Sequence, residues 1–180
     1  DVGRGGEPMT AAEARERVAF EPLVEIMQHK GSSECMLHPG NEDELCDFEV
    51  LPYDDFQGRY VPWLSSPPQV SDTVRDALLQ GLRIEARTGA NPFKYGILAS
   101  TDTHLGTPGA TQEELYLGHG GAGVPAAETV PEGLPDDLEF NPGGLAVLWA
   151  EENSRESLFA AMRRREAYGT SGTRPVLRFF

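Results

Sequence analysis

Apolar positions along the chain fall into two periods, and each stretch predicts an element. Thr10 and Glu13 form a capping-box pattern, a hydroxyl for the third amide and a carboxylate reaching back, and open a short helix to about residue 18. Pro22 ends it. Leu23, Val24, Ile26 and Met27 then read as a buried strand with one acid, Glu25, set inside the run. Residues 31–68 read mostly as loop, broken by Pro39, Gly40, Pro52, Gly58, Pro62, Pro67 and Pro68. Ser71 or Asp72 caps a second helix, whose Val74, Leu78, Leu82 and Glu85 recur at helical spacing, and Gly89 suits its end. A second strand follows over 95–100. Residues 101–142 are a long loop rich in Gly, Pro and acids, beyond the roughly 12–15 residues of a passive connection. A third strand covers 144–149. Asn153 and Glu156 repeat the capping pattern before a helix to about residue 166, with Arg163, Arg164 and Arg165 in the last turn, where the helix dipole favours cations. Val176, Leu177, Phe179 and Phe180 form a final apolar run that reads as a strand.

This alternation of strands and helices predicts an α/β architecture, loop-rich and without a repeat of roughly 20–50 residues. The opening lacks a signal-peptide pattern and the closing run reads as a strand without neighbours. Both ends therefore point to a fragment of a longer parent chain.

Composition narrows the function classes. The 180 residues carry 15 basic and 29 acidic side chains, a net charge of −14, so phosphate backbones are repelled and nucleic-acid binding is disfavoured. No apolar run reaches the roughly 18–20 residues of a membrane span. With 39% hydrophobic and 24% charged residues, and 20 Gly plus 14 Pro, the chain is globular and rich in turns rather than disordered. Cys35 and Cys46 lie in an acidic loop. The spacing fits a small disulfide-closed loop or two unrelated buried thiols, and suits a zinc knuckle poorly. A bridge would imply a periplasmic or secreted protein; separate thiols, a cytoplasmic one.

The strongest chemical signal is Ser100-Thr101-Asp102-Thr103-His104, directly after a strand. Active sites of parallel α/β folds collect at carboxyl ends of strands. On an extended segment Asp102 and His104 would project to one side, offering a hard oxygen and an imidazole nitrogen suited to Zn, Mn or Fe. A turn held by its own side-chain-to-backbone bonds is the competing reading. Glu25, in mid-strand, must be paired or bind a metal if buried, and period 2 places Glu25, Met27 and His29 on one face. A salt bridge to an arginine is the alternative for Glu25, and a satisfied interior imidazole for His29. Lys30 follows the same strand end and could neutralise an anionic substrate, as could Arg174; a solvated surface lysine is the plainer reading. His38 is an ordinary loop histidine or an added ligand. The 118–123 glycine stretch lacks the strand, spacing and helix of a phosphate loop. It leaves His119 as a candidate catalytic group on a lid or as part of a plain loop. No serine nucleophile elbow or Cys–His dyad is evident.

Several strings together resemble one family. They are Val24-Glu25-Ile26-Met27-Gln28 into Lys30-Gly31-Ser32-Ser33-Glu34, Asn91-Pro92-Phe93-Lys94-Tyr95-Gly96, and Ser100-Thr101-Asp102-Thr103-His104 with Gly106-Thr107-Pro108-Gly109-Ala110. Trp149-Ala150-Glu151-Glu152-Asn153 and Arg164-Arg165-Glu166-Ala167-Tyr168 with Thr170-Ser171-Gly172-Thr173-Arg174 complete the pattern. It resembles the C-terminal half of the bacterial domain-of-unknown-function family 3604. That family is similar to the polymerase and histidinol phosphatase (PHP) superfamily of metal-dependent phosphoesterases. The resemblance implies the C-terminal part of a distorted, TIM-related β/α barrel over residues 1–168, with 169–180 starting a following strand. It maps the superfamily's late D-x-H pair onto Asp102 and His104 and its bridging Glu onto Glu25; the N-terminal H-x-H pair has no counterpart here.

The expected function is therefore a metal-dependent hydrolase, in which a metal-activated water attacks a small anionic substrate such as a phosphate ester. Glu25, His29, Asp102 and His104 would be the ligands of a divalent Zn, Mn or Fe ion, with Lys30 and His119 as candidate catalytic groups. The expected partners are that substrate and the rest of the parent chain, with neither nucleic acid nor membrane. The alternatives are a binding or scaffold domain with a degenerate metal site, and an amidohydrolase-like carbonyl hydrolase.

Overall fold

The computed structural model describes residues 3, 6–29, 31–48, 69–103, 106, 108–112, 114 and 142–178. Helix α1 (Ala11–Phe20) starts as its sequence dictates: the Glu13 amide donates to Thr10 Oγ1 at 3.3 Å, and the Thr10 amide donates to the Glu13 carboxylate at 2.8 Å. Helix α2 (Val74–Thr88) ends on Gly89, whose φ of 76° is the left-handed conformation that glycine adopts without penalty. Its start differs from expectation. Thr73, not Ser71 or Asp72, is the cap, and the first helical amides find distant acceptors: Val74 N–H donates to Ser33 O (3.0 Å) and Arg75 N–H to Glu34 O (2.9 Å).

The buried face of α2 also differs. Val74, Gly81 and Ile84 are buried, whereas Leu78 is 38% and Leu82 is 61% exposed. Ile84 packs with Met9, Ala14, Ala90 and Phe93 into a core between α1 and α2, flanked by Ala11 and Tyr95. Asn91, at the turn after α2, lies against Gly81, so the small residue admits the turn. The Arg17 guanidinium covers Phe93 at 4.8 Å from the ring centroid and bonds Glu21, closing one side of this core.

Strand β1 (Leu23–Gln28) pairs antiparallel with the two-residue β2 (Gly31–Ser32) and parallel with β3 (Gly96–Ala99). The register with β3 slips between Glu25 and Met27, so a bulge interrupts the simple alternation expected of residues 25, 27 and 29. Strands β4 (Leu145–Leu148) and β5 (Ala167–Thr170) form an antiparallel pair. Strand β5 lies beside β3 and runs the same way, because Gly96 abuts Arg165 while Gly169 abuts Leu98 and Ala99. Helix α3 (Arg155–Arg164) joins β4 to β5; Ser154 caps it rather than Asn153, and Arg165, at φ 64°, terminates it. Gly169 lies inside β5. The α/β class stands. The barrel does not appear: among the described residues the strands form a three-stranded and a two-stranded sheet and no closed barrel. The 168/169 division falls within β5. Residues 173–178 are not a strand. They fold back on β4 and β5, with Tyr168 Oη donating to Pro175 O (2.6 Å) and Trp149 Nε1 to Leu177 O (3.0 Å).

Cys35 and Cys46 are joined in a disulfide with Cα atoms 5.2 Å apart. Arg75 fastens the same loop to α2, bonding Asp43 (2.8 Å) and Glu34 (2.7 Å). The guanidinium, with the Leu45 amide, holds the Asp43 carboxyl below the usual range. Replacing both cysteines by alanine is expected to cost ~3 kcal/mol by the loop-closure relation. Urea unfolding of the oxidised wild type against the double variant measures it, and coincident midpoints would refute it.

Candidate metal and active site

The carboxyl ends of β1, β3 and β5 meet where β4 begins. Two glycines make the junction possible. Gly144 N–H donates to Ser100 O at 2.7 Å, and a Cβ on Gly144 would collide with Thr170 O, so no side chain fits. Gly143, at φ 74°, lies between Gln28 and Thr101; a Cβ there would stand 2.7 Å from Thr101 Cα and 3.1 Å from the Gln28 carbonyl carbon. Ser100 N–H donates to Met27 O at 3.0 Å, so the segment leaving β3 is stitched to the end of β1.

Onto this junction the sequence places its acids and imidazole. His29, at the turn after β1, is 2% exposed, and its Nδ1 lies 3.3 Å from Asp102 Oδ2. The Asp102 side chain is 38% exposed, so the pair runs from the interior to the surface. Asp102 is left-handed (φ 53°) rather than extended, which corrects the geometry expected of the D-x-H segment. Aspartate is among the few non-glycine residues that tolerate this region. Thr101 is buried, and its Oγ1 accepts the Thr103 amide at 3.2 Å, tightening the turn.

Glu25 is half-buried, and its carboxylate is taken by a hydroxyl rather than a guanidinium. Ser100 Oγ donates a hydrogen bond to Glu25 Oε1, and Gln28 Nε2 lies 3.5 Å from Oε2. Sequence reasoning missed Ser100 as a partner of Glu25. The only signal was its place as the first residue beyond a strand, next to the D-x-H string. His38 lies in a small loop where its Nδ1 is 2.9 Å from Pro39 O and the backbone bridges Asn41. Arg174 is exposed on the turn after β5 and donates from Nη2 to Gly109 O at 3.3 Å. Lys30, His104 and His119, and the 118–123 glycine stretch, lie outside the described residues.

The donor chemistry of Glu25, His29 and Asp102, two carboxylates and an imidazole, is of the kind that a borderline divalent ion takes. Among the described residues, however, no three His, Cys, Asp or Glu side chains gather as one ligand group. The described nucleus is thus the His29–Asp102 pair, with Glu25 engaged by Ser100. No helix among the described residues is long and apolar enough to cross a membrane.

Comparison with known proteins identifies the family. No curated protein and no solved structure matches the chain. The family model described as "Protein of unknown function (DUF3604)" matches residues 1–180, the whole chain, and the protein belongs to that family.

Proposed function

We propose that this chain is part of a PHP-like metal-dependent hydrolase acting on small anionic substrates, phosphate esters first among them. The observation that carries the reading is the buried His29 imidazole facing Asp102 at 3.3 Å, at the end of a parallel strand pair where α/β enzymes collect their chemistry. Asp102, His29, Glu25 and His104 would hold the ion. When bound, such an ion supplies Lewis acidity and brings the pKa of water toward neutrality. The chain's own residues prepare the site: Ser100 orients one oxygen of Glu25, and Asp102 faces His29 Nδ1, which directs the opposite ring nitrogen elsewhere. Lys30 and Arg174 would offset substrate charge. The Cys35–Cys46 bridge favours an oxidising compartment, periplasmic or extracellular.

Elemental mass spectrometry of the full-length protein tests this, combined with hydrolysis of p-nitrophenyl phosphate and of an ester and amide panel before and after chelation. The expected result is at least one equivalent of Zn, Mn or Fe, with phosphate-ester hydrolysis lost on chelation and restored by the ion. Preference for carboxylic esters or amides would move the chain to the carbonyl-hydrolase reading. Absence of metal would support the binding or scaffold reading, which the engagement of Glu25 by Ser100 and Gln28 favours.

A further inference from the structure

We infer that the 170–174 turn is a positioning element: it latches the chain downstream of Asp102 and so holds Asp102 in its left-handed conformation opposite His29. The inference rests on the proposed metal site and deepens it. A non-glycine residue with positive φ persists where its surroundings over-determine it, and the chain is tied on both sides of Asp102. Upstream, Ser100 N–H bonds Met27 O and Ser100 O accepts the Gly144 amide, while Thr101 is buried. Downstream, the ties at residues 109 and 111 come from the turn that follows β5. Thr111 Oγ1 donates to Gly172 O at 3.1 Å, and Arg174 Nη2 donates to Gly109 O at 3.3 Å. Gly172, at φ 113°, lies close under the Thr111 side chain; a Cβ on it would stand 3.2 Å from Thr111 Cβ.

The turn is fit to act as a fixed point because it is braced internally. Thr170 Oγ1 donates to Thr173 O (2.7 Å) and accepts the Gly172 amide (3.3 Å). The chain beyond it is tied to the sheet through Tyr168 Oη and Pro175 O, and through the Leu177 amide and Tyr168 Oη. Thr170 itself lies against Gly144, which bonds Ser100. One end of β5 and the turn after it thus reach both sides of the segment bearing Asp102.

The test uses the full-length protein and the variants Thr111→Val, which removes the hydroxyl and keeps the branched shape, Arg174→Gln, their combination, and Thr111→Ser as the conservative rescue. Two readouts are taken: amide hydrogen exchange at residues 109–112, and calorimetric Mn2+ affinity of the metal-free protein. The combined variant should exchange faster at 109–112 by about 10-fold or more with β4 and β5 unchanged. Its Mn2+ affinity should fall by roughly 10–100-fold, the range set by residues that orient ligands, at an unaltered melting temperature of the metal-free form. Thr111→Ser should restore both. Wild-type exchange and wild-type affinity in the combined variant would overturn the latch. If the wild type takes up no Mn2+, Zn2+ or Fe2+, the metal reading fails and this inference falls with it, whereas wild-type binding with undiminished variant binding defeats the latch alone.

Discussion

Asp102→Asn in the full-length protein is expected to weaken divalent-ion binding by more than about 100-fold, since changes to residues that merely orient ligands already cost roughly 10–100-fold. Asparagine is the informative replacement because it also tolerates positive φ, so the left-handed backbone at φ 53° survives. What is lost is the anionic oxygen facing His29 at 3.3 Å. Alanine would confound loss of a ligand with a strained backbone. Titration with Mn2+ followed by equilibrium dialysis gives the affinity. Stoichiometric metal held as tightly by the variant as by the wild type would remove Asp102 from the ligand set.

The second large effect concerns stability. Gly144→Val should destabilise the protein by ~3 kcal/mol or more, at or beyond the upper end for overpacked sites. A Cβ at this position meets the Thr170 carbonyl oxygen, would stand 2.7 Å from Ala99 Cβ and 3.3 Å from Met27 Cγ, and most of these neighbours belong to strands that cannot retreat separately. Gly40→Ala is the comparison: its φ of 98° carries a backbone penalty, but nothing lies within 4 Å of the added Cβ, so ~1 kcal/mol is expected. Urea unfolding monitored through Trp149 ranks the two, and equal midpoints would show that β4 and β5 yield more readily than their packing implies.

What the sequence revealed was local, and what it concealed was not. The capping box at Thr10 and Glu13, the stop at Pro22 and the left-handed Gly89 depend on residues within one helical turn, and all three are as expected. The sequence points one or two residues ahead of the cap of α2 because three successive side chains, Ser71, Asp72 and Thr73, have the chemistry to cap. The choice falls to Ser33 O and Glu34 O, which wait about 40 residues upstream. The buried stripe of α2 departs from the periodic one for a related reason: periodicity supplies a face, but which flank is buried depends on Met9, Ala14 and Phe93 arriving from elsewhere.

The site shows the same division. Glu25, His29 and Asp102 were legible as unusual residues in their segments. The hydroxyl that takes up Glu25 and the reversal of the backbone at Asp102 were not, since both arise from the pairing of β1 with β3 and the wedge of Gly143. Glycine carries no hydropathy signal, so Gly143, Gly144 and Gly169 read as ordinary turn or strand residues although three chain segments cross there.

The end of α1 has its own implication for how the protein is made. Its last carbonyls, Ala19 O and Val18 O, receive the guanidinium groups of Arg163 (2.5 Å) and Arg165 (3.4 Å), across sequence separations of 144 and 147 residues. During synthesis the first helix therefore leaves the ribosome long before its partners exist. At about 5–20 residues per second its last carbonyls wait on the order of 10 s for these guanidinium groups.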